Sequence, residues 1–341
     1  MMYSLVRRAL FLSDPETAHG LALESLRLGY GVGATHLLSK CRNLPVKVMG
    51  LQFPNPVGMA AGMDKNGDYI DALGSLGFGF IEVGTVTPRP QPGNPKPRIF
   101  RLEKANAMIN RLGFNNKGVD HLVQQVRKRR FSGILGINIG KNFDTPNEKA
   151  ADDYLVCLEK VYPEADYITV NISSPNTRGL RDLQGVEQLD SLLQTLNRKR
   201  NALADTWQKR VPLVVKVAPD LEDGQIPGMA EVVARNDFDG LIATNTTISR
   251  EAVKGMRHAG EQGGLSGAPL KKQANHVLAA FRKHLPEGFA LIGTGGITAG
   301  ADAAEKIRLG ADLVQFYTGF VYTGPDLVGA CVDAIAADRS R

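Results

Sequence analysis

From Asn55 onward the sequence repeats one rhythm: a short apolar run, a turn, then an amphipathic helical stretch. Eight apolar runs read as strands: Pro56–Met59, Phe80–Val83, Ile134–Ile139, Tyr167–Ile172, Leu213–Ala218, Gly240–Thr244, Ala290–Gly293 and Leu313–Tyr317. Helical patterns fall between them at 65–77, 116–130, 147–162, 185–203, 225–236, 269–284 and 299–309, with a last one after Pro325. Such alternation requires a parallel sheet, because each strand must return to the same end of the sheet through a crossover. Eight units in roughly 285 residues predict a closed α/β (βα)8 TIM barrel. A doubly wound open sheet is the alternative, but nothing in the sequence marks a topological switch point.

In a parallel barrel the loops after the strands converge at one end, so polar residues at strand ends are candidate site residues. The most concentrated example is the segment 168–177, Ile-Thr-Val-Asn-Ile-Ser-Ser-Pro-Asn-Thr, where alternation gives way to hydroxyls, amides and a proline. The other ends add Gly62-Met-Asp-Lys65, Thr85, Asn138, Lys216, Thr244-Asn245-Thr246, Gly295-Gly296 and Tyr317-Thr318. Asparagine offers both a donor and an acceptor, so Asn110, Asn138, Asn171, Asn176 and Asn245 together suit a flat ligand with alternating N–H and C=O groups. Lys216 ends an apolar strand, where an unpartnered charge is costly to bury. The run Gly293-Thr-Gly-Gly-Ile297, followed by Tyr317-Thr318-Gly319, occupies the positions where barrels hold phosphate.

Two connections are longer than a barrel needs. Residues 84–116 contain a proline-dense segment and two short runs, 98–102 and 107–110, expected to pair as a hairpin. Residues 246–267 end in Gly263-Gly-Leu-Ser-Gly267.

Residues 1–47 form an N-terminal extension to the barrel of residues 48–341. The extension carries six Lys or Arg against three Asp or Glu, half of the chain's net charge of +6. Ser4–Leu12 reads as one helix, with Leu5, Val6, Ala9 and Leu12 to one side and Arg7 and Arg8 to the other. A second helix should start at Pro15 with Asp14 as its N-cap and Ala18, Leu21, Ala22 and Leu26 as its stripe. No stretch approaches the ~20 apolar residues of a membrane span. The pair either packs on the barrel or lies in a membrane interface, apolar face in lipid. Basic residues elsewhere are scattered without an aromatic stripe, which argues against nucleic acid. Cys41, Cys157 and Cys331 are too far apart for a zinc motif or a disulfide framework, and no metal is expected.

Seven motifs occur in one order: Gly62-Met-Asp-Lys-Asn66, Gly84-Thr-Val-Thr-Pro88, Asn110-Arg-Leu-Gly-Phe-Asn115, Asn171-Ile-Ser-Ser-Pro-Asn176, Val215-Lys-Val-Ala-Pro219, Asn245-Thr246 and Gly263-Gly-Leu-Ser-Gly267. Together they resemble the class 2, quinone-linked dihydroorotate dehydrogenases over essentially the whole chain. Ser174 stands where class 1 enzymes place a cysteine, and the N-terminal helices are a class 2 feature.

The resemblance implies an FMN enzyme that oxidises (S)-dihydroorotate to orotate, with Ser174 as catalytic base. It implies substrate contacts from Lys65, Asn110, Arg111, Leu112, Gly113, Phe114, Asn171, Asn176, Asn245 and Thr246. FMN contacts are implied for Ala61, Gly62, Met63, Asp64, Lys65, Thr85, Asn138, Asn171, Lys216, Thr244, Gly267, Gly296, Tyr317 and Thr318. His19, Arg101 and Tyr317 would line a quinone path between the helices; His19 as local packing and Arg101 paired with an acid are the plainer alternatives. A monomer is expected, held as a peripheral protein on the cytoplasmic face of a bacterial inner membrane. Three other readings stay open: a Schiff-base aldolase using Lys65 or Lys216, a non-catalytic membrane-bound barrel, and a class 1 enzyme.

Overall fold

A computed structural model describes residues 2–38 and 41–340. The chain opens with helices α1 (Met2–Phe11) and α2 (Pro15–Gly31). Asp14 caps α2 as expected: its Oδ1 accepts the N–H groups of Glu16 and Thr17 at 3.0 and 3.1 Å, while Pro15 fills a first-turn position that needs no donor. A hairpin that the sequence reading missed follows, β1 (Val46–Val48) and β2 (Leu51–Phe53). Its Val48 and Phe53 pack against Phe80, Tyr167, Val214 and Ile242 and floor the barrel.

In chain order the remaining elements are β3 (Val57–Met59), α3 (Ile70–Gly74), β4 (Phe80–Val86), β5 (Ile99–Leu102), β6 (Ala107–Asn110), α4 (Val119–Val126), β7 (Ile134–Ile139), α5 (Ala150–Val161), β8 (Tyr167–Asn171) and α6 (Val186–Trp207). They continue with β9 (Leu213–Val217), α7 (Ile226–Arg235), β10 (Gly240–Ala243), β11 (Gly264–Gly267), α8 (Lys271–His284), β12 (Ala290–Thr294), α9 (Gly300–Arg308), β13 (Leu313–Phe316), α10 (Thr318–Thr323) and α11 (Asp326–Arg339). The eight predicted strands, β3, β4, β7, β8, β9, β10, β12 and β13, pair in parallel in that order and close on themselves. Both faces of each strand are covered, by the barrel interior and by the helices, and this is why the runs are almost continuously apolar.

The expected hairpin forms as β5 and β6, and β11 from the second long connection adds to it as a third antiparallel strand. The two long loops therefore build one small sheet over the C-terminal mouth. Helix 65–77 is shorter than its pattern, because the Asp64 carboxylate accepts the N–H groups of Asn66, Gly67, Asp68 and Tyr69 and holds that stretch as a loop. Helix 116–130 likewise starts only at Val119, since Asn116 is spent on Thr87, Phe114 and Gly118.

Helices α1 and α2 dock beside the same mouth. Tyr3 donates to the Val321 carbonyl at 2.6 Å, Arg7 to that of Tyr322 at 2.6 Å, and Phe11 meets Tyr322 edge to face. Of the two expected sides of α1 it is not the apolar one that packs on the barrel: Arg7 turns inward, whereas Leu5, Val6 and Leu12 are exposed, as is Arg8. Leu21 and Leu28 of α2, and Val32 just after it, are exposed as well. Among the described residues no helix is long and apolar enough to cross a membrane.

Candidate active site

The strand ends surround two adjoining cavities. The first, about 630 Å³, is lined by Lys65, Asn110, Phe114, Ser174, Asn176 and Lys216, with Leu112 and Gly113 also on its wall. The second, about 510 Å³, is lined by Thr244, Gly267, Thr294, Gly296, Thr318 and Gly319. Ala61, Lys216, Asn245, Thr246 and Tyr317 border both. A third cavity of about 620 Å³ runs beneath α1 and α2, with His19, Arg101 and Tyr317 among mostly apolar neighbours. Tyr317 is thus the wall common to all three.

Ser174 is buried, and its Oγ accepts the N–H of Asn176 at 3.2 Å. Asn176 in turn donates through Nδ2 to the Asn110 carbonyl oxygen at 3.1 Å, joining the β8 loop to the small sheet. Below, the side chains form one directed chain. Asn171 Nδ2 donates to Thr85 Oγ1 at 2.9 Å and Asn138 Oδ1 at 3.2 Å. Asn171 Oδ1 accepts the N–H and hydroxyl of Ser173, and Asn245 Nδ2 donates to Ser173 Oγ at 3.0 Å.

Two lysines make this region cationic. Lys65 Nζ donates to the Gly62 carbonyl at 3.1 Å, and burial, aided by the Arg98 charge, pushes its pKa down to about 8. Lys216 is also pushed down by burial, opposed by the charge of Glu82. Among the described residues no acceptor is hydrogen-bonded to Lys216, so its ammonium is available to the cavities it lines.

Not every predicted residue turns its side chain inward. The Arg111 guanidinium pairs with Glu261 at 2.7 Å and lies over the Phe100 ring. The Asp64 carboxylate is spent on its own loop, and Met63 faces the third cavity. Asn138 is fully buried beneath the mouth. Among the described residues Arg101 makes no ion pair with an acid: it donates to the carbonyls of Phe11 and Ser13 at the end of α1 and stacks on Phe11 at 4.3 Å. His19 sits edge to face with Tyr317, 6.4 Å between centroids, and burial drives its pKa to about 4, so it is neutral at pH 7.

Three residues escaped the sequence reading. Arg181 donates to the carbonyls of Ser173 and Thr246 and pairs with Asp220 at 2.8 Å, clamping the β8 and β10 loops. The signal was weak, an Arg and an Asp far apart in polar loops. Glu82 lies fully buried inside the barrel. A carboxylate inside the apolar run Phe80–Val83 was the available sign, because such a charge must find partners.

The fit of a planar, phosphorylated cofactor can be judged from the walls. Lys216 lacks an acceptor, Thr294 Oγ1 is buried without a partner among the described residues, and a Cβ added to Gly62, at φ +109°, would project into open space. Gly296 permits the opposite kind of closeness, since a Cβ there would lie 2.3 Å from the Lys271 backbone. Beside it α10 opens directly after β13, and its first residues, Thr318 and Gly319, line the second cavity, whereas α9 begins only at Gly300. The walls fit such a group.

These features define an α/β barrel whose strand ends line a cationic, hydrogen-bonding cavity suited to an anionic ligand, beside an apolar passage. The family description "Dihydroorotate dehydrogenase" matches residues 43–338. A protein named dihydroorotate dehydrogenase (quinone) from Azotobacter vinelandii is 56% identical over 341 residues, spanning 100% of this chain and 98% of the relative. One of the same name from Neisseria meningitidis is 56% identical over 335 residues, covering 98% of this chain and 100% of its own. The solved ligand-free DHODH of Eimeria tenella superposes with a TM-score of 0.86 at 41% identity, covering 94% of each chain. The chain belongs to the dihydroorotate dehydrogenase family. It is therefore an oxidoreductase acting on dihydroorotate, and membership implies a flavin cofactor. The aldolase and non-catalytic readings fall away.

Proposed function

We propose that this chain is a class 2 dihydroorotate dehydrogenase, oxidising (S)-dihydroorotate to orotate in de novo pyrimidine synthesis with FMN and passing the electrons to a membrane quinone. The observation that carries the reading is the placement of Ser174 and the asparagine cage against an apolar passage beneath α1 and α2. FMN held at these walls would supply the two-electron acceptor for the C6 hydride and the donor for the quinone.

The chain's own residues do the rest. Ser174 removes the C5 proton, while Asn110, Asn171, Asn176, Asn245 and Thr246 orient the ring by its alternating donors and acceptors. Lys65 offers a cation to the carboxylate, with the Leu112–Phe114 wall excluding water. Lys216 stabilises negative charge on the cofactor side. Ala61, Gly62, Thr85, Thr244, Gly267, Gly296, Tyr317 and Thr318 would hold FMN, with Asn138 acting from beneath through Thr85 and Asn171; Asp64 and Met63 would shape that wall through their backbone. His19, Arg101 and Tyr317 line the quinone path, and the neutral His19 suits an apolar guest.

Residues 1–47 serve membrane contact and quinone access and residues 48–341 catalysis. The exposed Leu5, Val6, Leu12, Leu21, Leu28 and Val32 would enter the lipid interface of the cytoplasmic face, holding a monomer peripherally. Ser174→Ala tests the reading. Reduction by dihydroorotate should slow at least ~100-fold while reoxidation by a soluble quinone is unchanged. Full turnover in the variant would refute the assignment of the base.

A further inference from the structure

We propose that Glu82 is a positioning residue of this site: its carboxylate fixes the amide direction of Asn138 and offsets from beneath the positive charge that Lys216 presents to the cavities. The inference rests on the flavin reading of those cavities.

Glu82 is fully buried and accepts three hydrogen bonds inside the barrel. Asn138 Nδ2 donates to Oε1 at 2.7 Å, and Tyr167 and Thr169 donate their hydroxyls to Oε2 at 3.0 and 3.2 Å. An ionised carboxylate only accepts, so Asn138 must present its nitrogen downward and its oxygen upward. That upward oxygen receives Thr85 Oγ1 and Asn171 Nδ2. At the top the backbone N–H groups of Ser173 and Thr246, which only donate, hold Asn171 Oδ1 and Asn245 Oδ1. The amide chain is therefore polarised from both ends, and Glu82 is its lower anchor.

The second role follows from charge. Lys216 lies beside Asn171 in the β8–β9 pairing, and Asn171 reaches Glu82 through Asn138; among the described residues Glu82 is the one charged group that acts on buried Lys216, yet the two make no direct ion pair. The ammonium is compensated without being occupied, and it stays free for the cavity. Burying either charge alone would be expensive.

Glu82→Gln separates these roles, since its oxygen still accepts from Asn138 while the hydroxyls of Tyr167 and Thr169 can turn to accept from its NH₂. The measurement is the midpoint potential of the bound flavin at pH 6, with the flavin dissociation constant and melting temperature recorded alongside. Without the negative charge the reduced, anionic cofactor binds more tightly relative to the oxidised one. The expected change is at least ~tenfold, a rise of about 30 mV for a two-electron couple. Lys216→Gln should shift the ratio at least ~tenfold the other way, and the double variant should return to within ~threefold of wild type, the sum of two opposed charge effects on one cofactor.

A purely structural role would lower melting temperature and affinity without this opposed pattern. If Glu82→Gln does not fold, a double variant that does fold supports the pairing, and one that does not overturns it. An unchanged potential in flavin-loaded Glu82→Gln overturns this inference alone. A wild-type protein that takes up no flavin overturns the reading beneath it, and this inference as well.

Discussion

Arg98 grips Glu16 across 82 positions of chain, with Nε to Oε2 at 3.0 Å and Nη2 to Oε1 at 2.6 Å. The same guanidinium donates through Nη1 to the carbonyls of Pro92 and Asn94. Asn94 then donates to the carbonyls of Arg111 at 2.9 Å and Asn176 at 3.3 Å. One buried cation thus ties α2 to the loops bordering Ser174.

Glu16→Gln should cost about 1–3 kcal/mol at neutral pH. Burial by itself would raise the Glu16 pKa, but the hydrogen bonds and charge of Arg98, with help from Lys96, hold it below the usual value. A depressed carboxylate contributes stability that is complete above about pH 4.3 and is lost as pH falls through the folded value. Urea unfolding at pH 7 and pH 3 should show the gap between wild type and variant closing in acid. A gap of constant size would contradict the ion pair.

His19 titrates with the opposite chemistry but in the same direction of pH. Burial first, and the Lys65 charge second, lower its pKa to about 4. The unfolded imidazole takes its proton near pH 6.5, so the stability it contributes is full above that value and lost toward pH 4, up to about 3 kcal/mol. His19→Phe should flatten the stability curve between those limits. An identical curve would mean that the ring is not neutral in the fold.

Arg181→Met removes the clamp on Ser173 and Thr246 and leaves the Asp220 charge without its ion-pair partner. A loss of about 1–3 kcal/mol is expected, because the pair is only partly buried. The more telling result is functional: kcat should fall and the KM for dihydroorotate rise, each by about tenfold or more, because both loops line the same cavity. Arg181→Lys should rescue poorly, since a single ammonium cannot serve three acceptors in the fixed fork geometry of a guanidinium. Unchanged kinetics in a folded Met variant would exclude a positioning role.

Leu12 is 91% exposed and Val32 81% exposed, at positions where a soluble surface gains nothing from them. Burying a leucine in an apolar phase is worth about 1.5–3 kcal/mol. Leu12→Glu should therefore weaken sedimentation with anionic vesicles at least ~tenfold, while turnover with a soluble quinone stays near wild type. Equal vesicle binding would place the membrane contact elsewhere.

The barrel was legible because its strands are buried on both faces and its helices on one, so periodicity alone separates them. The N-cap at Asp14 and the hairpin 98–110 were readable for similarly local reasons. The β1–β2 floor was not, since two three-residue strands carry too little pattern. Strand β11 depends on a partner more than 150 positions away, Gly264 pairing with Asn110, which no local signal announces. At the site, strand-end asparagines and Ser174 advertise themselves as polar groups where apolar runs stop. Glu82 and Arg181 act through other residues, so their meaning appears only once Asn138, Lys216 and the carbonyl of Ser173 are seen beside them.

The visible spectrum of the purified protein, followed anaerobically, tests the central claim most directly. A flavin band should bleach on addition of dihydroorotate and return on addition of a soluble quinone. A folded protein that shows no flavin band even after reconstitution with FMN, or a band that dihydroorotate leaves unchanged, would contradict the account.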